Sequence, residues 1–536
     1  MRGIQSLPPD RALEESPRSW RRWIVAIFFA GLCLYGLSMR GTLSRDEEMF
    51  FLVAEAIGNR GEVAVGETVF TADSSVTGVD GREYSYFDLG QSLLALPLQQ
   101  LAHRVGAAFP EGLRPFIERF ATNGLGPLAG ALTLVLTFLL GLRAGLSRRE
   151  ALVAVLLLAI ATPLWFYSRT LFRAPVLAAL YCLIALFGLR ALERGTVRDG
   201  FFAGLALGVA ILVKSPSAIL GVPLGLLFLW RAPRERKGWV IAAMAAPVLC
   251  AVAGVMLYMK ARFGIWFGGQ PGFEGPFFAT PLREGLPGVL LSPGRGLILF
   301  CPLVLGLLAI GRAFRRRVAE EWRAGRYDVP VLAITAITIT ILHAKWKWWT
   351  GGICWGPRFL VPILPHLAIL VALVLRERPQ LVLRSRVFRP IAAAVIAFSI
   401  FVQFVGVTTE GRHLTKEPAG PDYRASVEEW QWSTPLSPIL WGSPFVAEFT
   451  PMPQEVSRGT IQGAGFESIL NGSWAIWWVY LYRVGLSPFF LLPAIALALG
   501  FVFSLAQILR LEWRASRSSK VTSVSERGRR GSRSPA

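Results

Sequence analysis

Long apolar stretches alternate with short charged ones along almost the whole chain. A helix needs about 20 mostly apolar residues to cross a hydrocarbon core of roughly 30 Å. Twelve segments fit that length to within a few residues, near 23–39, 125–142, 150–167, 174–190, 200–214, 216–231, 239–259, 296–311, 329–343, 359–375, 390–407 and 486–509. The apolar run 89–101 is shorter, carries Gln91, Gln99 and Gln100, and leads into His103 and Arg104. It reads as a re-entrant or juxtamembrane helix rather than a crossing. The pattern predicts an all-α polytopic membrane protein with about 12 transmembrane helices, external juxtamembrane helices and no sizeable soluble domain.

Charge then orients the segments. With an even number of crossings and a cytoplasmic N-terminus, Arg143/Arg148/Arg149, Arg234/Arg236/Lys237, Arg312/Arg315/Arg316/Arg317 and Arg384/Arg386/Arg389 all fall on one side, as the positive-inside rule requires. The cytoplasmic loops so assigned carry the whole net charge of +21, and the external ones balance. The chain divides into a basic cytoplasmic N-terminus (1–22), a membrane module (23–410) with a long external loop (40–124), a further external region (411–485), a last crossing (486–510) and a basic, disordered cytoplasmic tail (511–536) near anionic lipid headgroups. No small-x-small cleavage site follows the first apolar stretch, so it is expected to stay as an uncleaved helix.

Composition narrows the function. With 53% hydrophobic residues and a mean hydropathy of +0.48, the partners are membrane lipids; no nucleic-acid-binding fold accompanies the spread-out charge. Cys33, Cys182, Cys250, Cys301 and Cys354 show no disulfide or zinc spacing. There is no Walker or dinucleotide glycine pattern, and acids are nearly absent from the apolar segments. Redox, ATP-driven and ion-coupled transport chemistry are therefore poorly supported.

Chemistry-bearing residues gather in the external loops. Asp46, Glu47 and Glu48 follow the first crossing and open an amphipathic segment; acids also favour any helix start. A carboxylate there suits a general base or a divalent-cation ligand, and either role needs a cationic or electrophilic partner. Arg169, Arg173 and Lys214 stand at the same membrane face, where single cations usually snorkel to headgroups but three together favour an anion. The block from His343 to Phe359 interleaves Lys345, Lys347 and Arg358 with Trp349, Trp355 and Gly351, Gly352 and Gly356; an interfacial aromatic belt is the alternative reading for the tryptophans, but does not account for the interleaved cations and glycines. Glycine allows close backbone approach, arginine grips phosphate bidentately and indole stacks on sugar or isoprenoid. Ser292-Pro-Gly-Arg295-Gly reads as a tight loop at a helix start.

The order of external Asp-Glu after the first helix, Tyr84-Ser-Tyr86-Phe-Asp-Leu-Gly-Gln-Ser92, Tyr167-Ser-Arg169, Leu212-Val-Lys214, Ser292-Pro-Gly-Arg295-Gly and Trp355-Gly-Pro-Arg358-Phe resembles bacterial polyprenyl-phosphate-sugar-dependent glycosyltransferases of the GT-C fold. Those similar to protein O-mannosyltransferases and aminoarabinose transferases come nearest, over about residues 20–410. The resemblance implies a GT-C bundle with a catalytic acid at Asp46, supported by Glu47. It implies inverting transfer of a sugar from a polyprenyl-phosphate donor to an acceptor hydroxyl on a glycan, lipid or protein, at the external face of a bacterial cytoplasmic membrane. Arg169, Arg173, Lys214, Lys345 and Arg358 are the expected phosphate ligands; Tyr84, Tyr86, Arg295, His343, Trp349 and Trp355 are expected to line the substrate. Relatives often carry an acid just after the Ser-Arg turn, where this chain has Arg173 and Ala174, which favours a cation-lined phosphate site over a metal bridge. No cofactor is assigned, and a divalent cation stays open. The rival reading is a non-enzymatic flippase or binding subunit for lipid-linked glycans; it calls for polar residues along helix interiors, whereas here they cluster at one face.

Overall fold

The computed structural model describes residues 17–40, 44–66, 75–231, 235–266, 276–352, 354–378, 380, 385–408, 476–483 and 491–531. Most of the expected external region 411–485 lies outside these residues. The chain opens with α1 (Pro17–Leu37), α2 (Arg45–Arg60), the antiparallel hairpin β1 (Ser75–Thr77) and β2 (Glu83–Ser85), α3 (Gly90–Gly106) and α4 (Arg114–Asn123). There follow α5 (Leu125–Arg143), α6 (Arg148–Ile160), α7 (Leu164–Ser168), α8 (Arg173–Arg194), α9 (Val197–Val213), α10 (Gly221–Arg231), α11 (Lys237–Phe263), α12 (Leu282–Leu291) and α13 (Leu297–Phe300). The remaining helices are α14 (Arg312–Arg323), α15 (Asp328–Lys345), α16 (Leu364–Arg376), α17 (Phe388–Thr408), α18 (Trp477–Arg483) and α19 (Leu491–Gly531).

Eight helical stretches among the described residues are long and apolar enough to cross a membrane: Trp20–Leu37, Arg114–Arg143, Arg173–Arg194, Lys237–Phe263, Asp328–Lys345, Arg358–Arg376, Phe388–Thr408 and Leu491–Trp513. They coincide with eight of the twelve expected crossings. The other four are shorter or broken, and proline explains two of them. Pro163 follows the end of α6, and Pro302 opens the 3-10 stretch Pro302–Ala309. Each removes a backbone donor and clashes with the preceding turn. The other two are short: α9 has 17 residues, and the stretch Ser215–Arg231, with Pro216 near its start, is shorter than any of the eight.

What covers each helix separates core from periphery. Leu249 and Leu257 on α11, and Leu492, Ile495, Leu499, Val502 and Phe503 on α19, are exposed, so no side chain among the described residues shields these faces. An apolar face of that extent needs a hydrocarbon solvent. The interior is built around α8, which lies against α5 and α9. On its other side α9 packs closely on α11: a Cβ at Gly204 would overlap the Met244 carbonyl oxygen, and Gly200 and Gly208 on the same face meet Val240 and Pro247. With no hydrophobic driving force between helices in lipid, backbone approach at small residues supplies the contact.

The segment between α1 and α5 forms a cap of α2, α3, α4 and the hairpin. Met49, Phe50, Phe51 and Val53 of α2 bury themselves with Phe87 and Leu171, fixing α2 over the turn between α7 and α8. Each buried Phe contributes about 1.5–3 kcal/mol. That turn and the start of α2 carry the charged groups of interest.

Candidate active site

Ser44 precedes α2, and Asp46, Glu47 and Glu48 fill its first turn. Successive helical residues are turned by about 100°, so the three acids face three directions. Asp46 Oδ2 accepts from Arg358 Nη1 at 2.9 Å. Glu47 is fully buried; Oε2 accepts from the Ser44 backbone N–H and Oε1 from that of Leu171, each at 2.7 Å. Burial pushes the Glu47 carboxyl above its usual range, and the Arg40 charge and the N–H donors oppose that shift. Glu48 is gripped by the Arg119 guanidinium. Asp46 thus faces a cation, Glu47 pins α2 to the α7–α8 turn, and Glu48 ties α2 to α4.

Asp46 lines a small cavity with Arg173, Lys214, His343 and Arg358; Phe50, Phe172 and Phe359 are part of its apolar wall. Its volume is about 30 Å³, enough for one or two waters, since a single water needs roughly 10–15 Å³ on this measure. Arg173 begins α8, lies over the rings of Phe50 and Phe87 at 5.3 and 4.8 Å, and donates through Nη1 to the Val213 carbonyl at 3.3 Å. Lys214 follows the last residue of α9; its Nζ is 2.8 Å from His343 Nε2 and 4.0 Å from the Phe359 ring centre. Three cations from separate segments therefore surround one lining carboxylate. Where cations crowd in a low-dielectric wall, the favoured occupant is an anion.

Several groups hold this arrangement. Asp88 Oδ2 accepts from the Ser215 backbone N–H at 2.7 Å, tying the Lys214 turn to the loop before α3, and burial pushes the Asp88 carboxyl upward. Gln91 Nε2 donates to the Leu171 carbonyl at 2.8 Å. Tyr167 Oη donates to the Trp355 carbonyl at 2.8 Å, bracing the loop that leads to Arg358. In that loop Gly351, Gly352 and Gly356 have φ of 79°, 75° and 58°, backbone that other residues adopt at a cost. Arg295 donates to the Gly352 carbonyl from the Ser292-Pro-Gly-Arg loop.

The expected site residues thus divide. Asp46, Arg173, Lys214, His343 and Arg358 converge on the cavity. Arg169 does not line it: the side chain is buried over Phe166, with Nη1 3.5 Å from the Ser38 carbonyl at the end of α1. Lys345 is also absent from the lining, and its carbonyl receives Thr280 N–H at 3.2 Å. Trp355 is fully buried between Phe166 and Phe300, and Trp349 is buried under α12. Tyr84 donates to Asp80 at 2.7 Å in the hairpin, and the Tyr86 ring lies 4.3 Å from Phe87. Asp88 and Phe359 were not singled out from sequence, although both lay within the motifs; an acid inside the apolar run Phe87-Asp-Leu-Gly was the available signal for the first.

A family profile described as dolichyl-phosphate-mannose-protein mannosyltransferase matches residues 120–259, which include Arg173 and Lys214. No curated protein matches the chain in sequence. Among solved structures, the chain is similar to ArnT from Cupriavidus metallidurans bound to undecaprenyl phosphate, at 19% identity and a TM-score of 0.45, over 92% of this chain and 77% of that one. It is also similar to the same protein in the apo state, at 16% identity and a TM-score of 0.43, over 90% and 76% of the two chains.

Proposed function

We propose that the protein is a membrane glycosyltransferase that moves a sugar from a polyprenyl-phosphate donor to an acceptor hydroxyl. The observation that carries this reading is the meeting of Arg173, Lys214 and Arg358 around the single lining carboxylate Asp46. The three cations hold the donor phosphate. Asp46 takes the proton of the acceptor hydroxyl as its oxygen attacks the anomeric carbon from the face opposite the phosphate, giving inversion. The bond from that carbon to the phosphate oxygen breaks, its electron pair stays on the phosphate, and the cations stabilise the charge that develops there. An apolar groove of about 650 Å³ between α12, the Pro302–Ala309 stretch and α17 suits the isoprenoid tail; Phe300, next to this lining, packs edge-on against Trp355 of the site loop.

A divalent cation fits this site poorly. Among the described residues no three His, Cys, Asp or Glu side chains converge as a metal site, and Asp46 faces the Arg358 guanidinium where further carboxylates would be needed. The site belongs on the external face of a bacterial cytoplasmic membrane, with both termini in the cytoplasm, on the distribution of Lys and Arg. The acceptor is a hydroxyl on a glycan, a lipid or a protein.

The test uses the full-length protein in proteoliposomes containing lipid-linked sugars extracted from bacterial membranes, with polyprenyl phosphate release followed by mass spectrometry. Asp46→Asn should slow release by about 10²-fold or more while undecaprenyl phosphate still binds. Unchanged release would remove Asp46 from the chemistry. Transbilayer movement of lipid-linked sugar without release would favour the carrier reading.

A further inference from the structure

Lys214 is held in an unusual way for a cation at an anion site. Among the described residues it forms no ion pair; its amine meets the Nε2 of His343 and the face of Phe359. His343 Nδ1 lies 2.9 Å from the carbonyl of Ile339, one turn earlier in α15. A carbonyl accepts only, so Nδ1 carries the hydrogen and Nε2 presents a lone pair to the amine. The imidazole is also stacked on Phe359, with ring centres 4.8 Å apart and planes 19° apart. The ring is therefore fixed on two sides before it meets the lysine.

An ammonium has three N–H donors and a flexible four-carbon stem. One donor goes to His343, the phenyl face takes the positive edge of the group, and the cavity that Lys214 lines faces the remainder. We infer that His343 is a positioning residue for Lys214: it accepts one N–H of the amine and so directs another at the phosphate of the lipid-linked donor. The inference rests on the proposed donor site and gives His343 a role distinct from contact with the sugar. No proton needs to leave Lys214 for it to act.

The test is a double-mutant cycle on the intact protein in detergent, with undecaprenyl phosphate as the probe and inorganic phosphate as a competitor that separates lipid phosphate from free phosphate. His343→Phe should weaken probe binding about 10-fold, and His343→Gln, which restores an acceptor near the same place, should stay within about 3-fold of wild type. Lys214→Ala should weaken binding at least as much as His343→Phe, and Lys214→Ala/His343→Phe should bind no worse than Lys214→Ala alone, since a residue acting through the lysine has nothing left to position. Wild-type affinity in His343→Phe, a Gln variant as weak as the Phe variant, or additive losses in the double variant would overturn the inference. If His343→Phe loses its melting transition, His343→Ala with added imidazole takes its place, and a failure of imidazole to restore affinity counts against it. A wild-type protein that binds no undecaprenyl phosphate overturns the donor-site reading itself, whereas binding weakened by Lys214→Ala but not by His343→Phe overturns only the role of the histidine. Displacement by inorganic phosphate at equal concentration would assign the site to free phosphate and overturn both.

Discussion

Arg358 and Asp46 neutralise each other across 2.9 Å at the cavity wall. Arg358→Ala removes a donor cation and leaves Asp46 unpaired, so undecaprenyl phosphate affinity should fall by about 10- to 100-fold; Arg358→Lys should recover only part of it, because an ammonium lacks the planar fork. Equal affinity for both variants and wild type, read by equilibrium binding, would contradict this. Glu47 carries a pH signature instead. Its carboxyl is raised by burial, so folding favours its protonated form; that stabilisation is complete below the unfolded value of about 4.3 and is lost as pH rises through the folded value. The melting temperature of wild type relative to Glu47→Gln should therefore fall between pH 4 and pH 8, and a constant difference would argue for an unshifted group. That Asp46, Arg173, Lys214, His343 and Arg358 stand apart from the rest was legible in sequence because charges at apolar boundaries are costly and few. Their directions were not: His343 and Lys345 are two positions apart on α15, about 200° around the helix, so only one can face the cavity. The same holds for Arg169 and Arg173, since the sequence of a turn does not show which of its arginines points inward.

At the scale of elements, the site loop and the α9–α11 contact are the sensitive places. Gly356 has φ 58°, and a Cβ there would come within 2.8 Å of the Phe300 ring. Gly356→Ala should cost about 1–3 kcal/mol of local strain and weaken probe binding while the helices stay folded, seen as an unchanged far-ultraviolet circular-dichroism spectrum at 25 °C. Gly204→Val should act in the opposite way: its overlap with the α11 backbone should separate two core helices, lowering the yield of folded protein on gel filtration rather than probe affinity alone. The hydropathy pattern located the crossings from 174 to 190 and 239 to 259 well because α8 and α11 are continuous. It did not show that the runs at 150–167 and 296–311 are interrupted, because mean apolarity is blind to Pro163 and Pro302, where the backbone turns.

For the whole molecule, the all-α membrane architecture follows from length and apolarity alone, and the exposed faces of α11 and α19 agree with it. Orientation is a separate matter, set by Lys and Arg. In a cysteine-free background, Arg316→Cys on exposed α14 should resist a membrane-impermeant maleimide in intact cells, and Ala108→Cys after α3 should react; the reverse pattern would invert the assigned topology. With space for one or two waters, the cavity presents its one lining carboxylate, Asp46, already engaged by Arg358. On the proposed mechanism, the donor's phosphate would draw Arg358 to itself and so free Asp46 to act as base only when a sugar is already seated. Initial-rate kinetics should then show compulsory binding of the donor before the acceptor, and water should compete poorly as a substitute acceptor.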